Sequence, residues 1–223
     1  KAGAAADASR VERGRALFEE GCSSCHGFDA RGVAGRGPTL RGAGALAADF
    51  YLRTGRMPLS YPGEEPSRAE PRYSNRQIEA IVAYVGSFGG PAIPRVDPER
   101  GSLSDGMHLF ASNCAGCHAI TAAGGVATGA SAPPLAKSTP TQIGEAVRLG
   151  PYLMPRFNRR LIDSGQVDSL ARYVDYTQSP DDAGGWGIGH IGPVPEGMVA
   201  WLLAAAALLL IAWLIGERRK AGS

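Results

Sequence analysis

One five-residue pattern occurs twice and constrains everything around it: Cys22-Ser23-Ser24-Cys25-His26 and Cys114-Ala115-Gly116-Cys117-His118. Cys-x-x-Cys-His is the attachment signature of a c-type haem. Cysteines three apart lie on one side of a helical turn, so both thiols reach the two vinyl groups of one porphyrin. The adjacent histidine then turns its imidazole toward the iron from the same side, as the proximal axial ligand. Competing chemistries explain less. A zinc site needs about four ligands; each motif offers three, and the two motifs use all four cysteines of the chain. A thioredoxin-like pair calls for a βαβ pattern, which is not visible. Structural disulfides would leave both histidines unexplained.

Two motifs in 223 residues argue for two small domains. Domains this short bury little surface alone, so much of each core should be the haem itself. The 31 glycines and 16 prolines predict long ordered loops in an otherwise all-α chain. Twenty-three basic and 21 acidic residues nearly cancel and are interspersed, which gives nucleic acid no footprint. Haem attachment to this motif takes place outside the cytoplasm, so the chain is exported. Residues 1–21 lack a charged n-region followed by an apolar h-region, and position 1 is not methionine. An export segment removed or lying outside this numbering is therefore expected.

In chain order, residues 1–9 read as a loose Ala-rich lead-in, and Ser9 as the cap of a helix from Val11 to Glu20. The first haem motif follows, then a Gly-rich loop with Gly37-Pro38-Thr39-Leu40, and a short helix over Ala45–Arg53. Met57-Pro58 and a Pro- and Glu-rich stretch lead to a helix from Gln77 to Phe88, capped by Ser74 or Asn75. After the linker the plan repeats. Gly106, Leu109 and Phe110 stand 92 positions after Gly14, Leu17 and Phe18, in step with the cysteines. Ala132-Pro133-Pro134-Leu135 answers Gly37-Pro38-Thr39-Leu40, Arg148 answers Arg53, Met154-Pro155 answers Met57-Pro58, and Tyr173, in a helix over Gln166–Tyr176, answers Tyr84.

The chain has four methionines. Met57 and Met154 occupy matched places after their motifs, and a soft thioether suits haem iron; they are the candidate sixth ligands opposite His26 and His118. Met107 lies on the helix before a haem motif and cannot swing to the far side, and Met198 opens an apolar run. His108 and His190 receive no metal role. Arg53 and Arg148 either neutralise haem propionates or serve as exposed charges.

The series resembles the class I cytochrome c family over residues 10–90 and 102–178. That resemblance implies a crossing of first and last helices through Gly14, Phe18 and Tyr84, and again through Gly106, Phe110 and Tyr173. It also implies that the carbonyls of Pro38 and Pro133 accept a hydrogen bond from the proximal histidines, fixing the rings. Two covalently attached haem c groups are implied.

Residues 198–216 are uncharged and almost wholly apolar, a length suited to one membrane-spanning helix, with Trp201 and Trp213 toward its ends. Glu217-Arg218-Arg219-Lys220 follows, and basic residues mark the cytoplasmic side. The expected division is 10–90 first domain, 91–101 linker, 102–180 second domain, 181–197 Gly-rich membrane-proximal segment without a helix pattern, 198–216 transmembrane helix and 217–223 cytoplasmic tail. The haem domains then face outward from the cell membrane.

Two such domains, a Gly-rich lead and Gly192-Pro193-Val194-Pro195-Glu196-Gly197 entering an anchor resemble the dihaem cytochrome cc subunit of actinobacterial menaquinol:cytochrome c reductase. This implies partnership with a cytochrome b subunit and a Rieske iron–sulfur subunit, and electron delivery to the copper A subunit of a terminal oxidase. It also implies that the N-terminal domain receives the electron. Such a chain is the electron-transfer subunit of a larger oxidoreductase and does no bond chemistry itself. The alternatives are a dihaem subunit of a terminal oxidase, a free anchored shuttle, or, against the two matched methionines, a dihaem peroxidase or gas sensor.

Overall fold

The computed structural model describes residues 2–127, 129–181 and 193–221. It divides into two compact units, Lys1–Gln178 and Ser179–Ser223. The first unit holds α1 (Ala2–Gly21), α2 (Ser23–His26), α3 (Gly44–Arg53), α4 (Asn75–Gly86), a 3-10 turn (Pro98–Arg100), α5 (Leu103–Asn113), α6 (Ala115–His118), a hairpin of β1 (Gly125–Ala127) and β2 (Ala130–Ala132), α7 (Pro140–Leu149) and α8 (Ser164–Gln178). It is a helical body with a small hairpin that the all-α reading did not anticipate. There β1 pairs antiparallel with β2, Gly125 opposite Ala132, where the first half makes only an isolated bridge between Val33 and Gly37.

Each half is built on one helix crossing, α1 on α4 and α5 on α8. Glycine at the crossing lets the backbones touch. A Cβ on Gly14 would overlap the Ala80 carbonyl and lie 2.9 Å from Tyr84 Cβ; one on Gly106 would overlap the Ser169 carbonyl and lie 2.9 Å from Tyr173 Cβ. Beside each glycine a fully buried phenylalanine meets the tyrosine, Phe18 to Tyr84 at 5.3 Å between ring centroids and Phe110 to Tyr173 at 5.2 Å. Two separate apolar clusters result. Leu52, Ile78, Ile81 and Val85 gather round Phe18, and Ile143, Val147, Leu170 and Val174 round Phe110.

The helix starts are sharp where the sequence supplies caps. Gln77 Oε1 accepts from the Ser74 backbone N–H at 2.9 Å, completing a capping box on α4, and Thr139 with Gln142 does the same for α7. The N-terminal stretch differs from expectation. It is helical from Ala2, and Ser9 lies inside the helix rather than capping it. Five of residues 2–8 are alanine, the best intrinsic helix former, and no proline interrupts them, so α1 continues toward the N-terminus.

The second unit contains α9 (Pro193–Ala221). The expected segment 181–197 lies largely outside the described residues, but the helix begins within it, at Pro193. Proline in a first turn loses only an N–H that has no helical partner there. Gly197–Glu217 is long and apolar enough to cross a membrane. Every side chain from Met198 to Glu217, including Trp201 and Trp213, is exposed, as suits a lipid rather than a protein surround.

Candidate haem sites

Both motifs form the same turn. Cys22 and Cys114 precede their short helices at nearly equal backbone angles, φ −126°, ψ −26° and φ −125°, ψ −36°. The His26 N–H donates to the Cys22 carbonyl at 2.9 Å, and His118 to Cys114 at 2.9 Å. Cys22, Cys25, Cys114 and Cys117 are all free thiols, not disulfides. Burial pushes the thiols of Cys22 and Cys114 up to about 11, with the neighbouring thiol adding to it, so in the unmodified chain they are neutral and sit against their apolar clusters.

His26 Nδ1 lies 2.8 Å from the Pro38 carbonyl and His118 Nδ1 lies 3.1 Å from the Pro133 carbonyl. A carbonyl only accepts, so Nδ1 carries the proton in each ring and the Nε2 lone pair is left for a metal. Burial draws the His118 imidazole below its ordinary value, opposed by that bond, which favours the neutral ligating form.

The loops that bring the two carbonyls back are also matched. Gly32 N–H donates to His26 O at 2.8 Å and Gly124 to His118 O at 2.9 Å; Leu40 donates to Ala30 O and Leu135 to Ala122 O, both at 2.9 Å. Ala30 and Ala122 are buried with positive φ, 58° and 56°, a pair of strained positions that their 92-residue spacing alone could have flagged. Gly55 and Gly150, at φ 66° and 63°, turn the chain out of α3 and α7 toward the methionine segments. Met57 and Met154 are half-buried at the edges of their own clusters, together with Cys22 and Leu40 in one and Cys114 and Leu135 in the other. The first cysteine and the candidate distal methionine thus border one apolar body in each half. Neutral thiols, an oriented imidazole and a thioether round an apolar cluster form a donor set that fits haem c.

The two arginines are not equivalent. Arg53 Nε pairs with both Asp49 oxygens at 2.8 and 3.0 Å, and its Nη1 donates to Asn75 Oδ1. Arg148 instead donates to the carbonyls of Phe157, Ile162 and Asp163, bracing the segment that carries Met154. Sequence reading overlooked Glu145, a fully buried acid on α7, and Arg68, which bonds Lys137 O, Ser138 Oγ and Gln142 Oε1 across the two halves. The only signal for Glu145 was a charge set between Ile143 and Val147.

Comparison with known proteins agrees with this geometry. Residues 11–88 match the cytochrome c family and residues 101–174 match cytochrome c oxidase, cbb3-type, subunit III. The cytochrome bc1 complex cytochrome c subunit of Corynebacterium diphtheriae is 34% identical over 93% of this chain and 81% of its own length. The subunit of the same name from Mycobacterium tuberculosis is 37% identical over 93% of this chain and 78% of its own. The chain belongs to the family of cytochrome bc1 complex cytochrome c subunits. It is a haem c electron-transfer protein with two cytochrome c modules and a C-terminal membrane helix. The Cbb3-type cytochrome c oxidase subunit CcoP of Azospirillum is 30% identical over 72% of this chain and 60% of its own length.

Proposed function

We propose that this chain is the membrane-anchored dihaem relay of a respiratory menaquinol:cytochrome c reductase, carrying electrons from a Rieske iron–sulfur centre toward the copper A centre of a terminal oxidase. The observation that carries this reading is duplication without decay. Each module keeps two cysteines, a histidine tied to a proline carbonyl, and a methionine at the edge of the same apolar body. When bound, each haem iron alternates between ferric and ferrous states and moves one electron.

The residues of the chain do the rest. Cys22, Cys25, Cys114 and Cys117 would hold the porphyrins by thioether bonds, His26 and His118 would present Nε2, and Met57 and Met154 would supply a soft sixth donor that favours the reduced state. Arg218, Arg219 and Lys220 favour a cytoplasmic C-terminus, which would put both modules on the outer face. A cytochrome b subunit and a Rieske subunit would be the neighbours, with the module at 10–90 receiving electrons and the one at 102–180 passing them on. Anchoring replaces diffusion of a soluble carrier by a high local concentration at the acceptor.

The test is oxygen uptake by the detergent-purified assembly with quinol and no added soluble cytochrome c. Uptake should proceed, and deleting residues 102–178 should stop it while quinol still reduces the first haem. A requirement for added cytochrome c would sink the relay. The CcoP likeness favours a second reading, a dihaem oxidase subunit. Co-purification of b-type haem with a Rieske centre separates the two.

A further inference from the structure

The modules meet where α3 packs against α7, and the contact is chemically odd. Glu145 on α7 is fully buried and Asp49 on α3 is 4% exposed, so two carboxyl groups face each other out of water. One guanidinium, Arg53, is bonded to Asp49. Neither Glu145 oxygen finds a donor among the described residues. Two ionised carboxylates in such a place repel and stay desolvated. A carboxylic acid donating to a carboxylate satisfies both and leaves one negative charge, which Arg53 balances.

We propose that the two haem modules dock through a proton shared between Glu145 and Asp49, and that removal of this proton loosens the junction.

The surrounding charges leave that pair to itself. On α7, Arg148 is turned to the carbonyls of Phe157, Ile162 and Asp163. On α8, Asp168 accepts from the Asp97 N–H and Arg172 donates to Gly101 O. On α4, Asn75 takes the far side of Arg53. Arg68 is engaged by Lys137 O and Gln142. Burial first, then the charge and hydrogen bond of Asp49, push the Glu145 carboxyl up to about 9, with Arg53 pulling the other way. Glu145 thus holds its proton more tightly docked than apart. Docking weakens as pH rises from the ordinary carboxylate range toward about 9, by at most about tenfold per pH unit. Because α3 and α7 lead directly into the segments carrying Met57 and Met154, this junction sets how the modules stand to each other. The inference goes beyond the relay reading and holds whichever partner takes the electron.

The experiment is infrared spectroscopy of the haem-loaded full chain in detergent across a pH series, with amide exchange of residues 45–53 and 140–148 followed alongside. At neutral pH the wild type should show the carbonyl stretch of a protonated buried carboxyl. That band should fade toward alkaline pH as both segments lose protection, after correction for intrinsic exchange. Glu145→Gln should lack the band and keep its protection at alkaline pH, since an amide still donates to Asp49. Asp49→Asn removes the like charge, so its band should fade at lower pH than in the wild type. An unchanged band in Glu145→Gln, no downward shift in Asp49→Asn, or wild-type protection that does not respond to pH each overturns the proposal.

Discussion

The two halves agree closely at the haem motifs and the helix crossings and part company just outside them. The cysteine turn, the histidine–proline bond, the helix-crossing glycine and the Phe–Tyr pair superimpose position for position. The residue after each histidine differs in kind though not in backbone region: Gly27 sits at φ 75°, ψ 151° and Ala119 at φ 57°, ψ 155°. The loop to the carbonyl differs in length, 12 residues from His26 to Pro38 and 15 from His118 to Pro133, and the second half folds its extra length into the hairpin. The tyrosines differ in the same way. Tyr173 OH donates to Ile120 O at 2.7 Å, whereas Tyr84 stacks edge-on against Phe88 at 4.9 Å and among the described residues makes no such bond. Holding one prosthetic group fixes a small set of contacts; the shell around it is free to diverge.

The largest expected effect tests the shared part. Gly14→Leu and Gly106→Leu must each push a side chain through a backbone carbonyl, at a cost above the roughly 1–3 kcal/mol of ordinary overpacking. Each should destroy its own module and spare the other, visible as loss of about half the covalently bound haem. Equal damage to both modules would mean that the two clusters do not fold independently. Next in size are the proposed sixth ligands. Met57→Ala and Met154→Ala should each open one haem to carbon monoxide and lower its potential, since His/Met ligation raises it. Unchanged ligand binding and potential would remove that methionine from the assignment.

What the sequence made legible follows the same division. Features repeated in both halves were readable, because a match at a fixed offset says that a residue is held by geometry: Gly14 with Gly106, Pro38 with Pro133. The cap of α4 was readable from Ser74 chemistry. Features made once were not. The start of α1 depended on the propensity of an alanine run against the pull of a Ser9 cap. The hairpin at 125–132 depends on a chain reversal made mostly of Gly and Ala, with almost no alternating pattern to announce it. Arg53 and Arg148 matched in place yet engage different partners, because the partners, Asp49 in one half and loop carbonyls in the other, are not part of the repeat. Glu145 showed only as a charge between Ile143 and Val147, since its burial belongs to a contact between halves.

A smaller effect probes the turn after each histidine. Both residues occupy a region that glycine tolerates and other residues pay about 1–3 kcal/mol to enter. Ala119→Gly should therefore raise the unfolding midpoint of the second module, and Gly27→Ala should lower that of the first, by about 1 kcal/mol or more in each direction. Followed through each haem's own absorbance, the two changes should oppose each other. Destabilisation by both would show that the alanine methyl makes a contact the glycine lacks.

The smallest effect separates the two tyrosines. Tyr173→Phe deletes one hydrogen bond and leaves the Ile120 carbonyl without its partner; Ile120 is 48% exposed, so water can replace much of what is lost. The cost should fall near the low end of the usual range for a hydrogen bond, about 0.5–1.5 kcal/mol. Tyr84→Phe keeps the ring contacts with Phe18 and Phe88 and removes no bond to a described residue, so its cost should be close to zero. Burial pushes the Tyr173 phenol above its ordinary value, with Tyr176 adding to it, so the hydroxyl remains a donor through mildly alkaline pH and the difference should persist there. A raised phenol pKa means that stability supplied by the neutral form is present below the ordinary tyrosine range and is lost only as pH rises through the shifted value. Denaturant midpoints of the two variants at pH 7 and again at mildly alkaline pH measure this directly. Equal midpoints would show that the Tyr173 bond is exchanged for water at no cost.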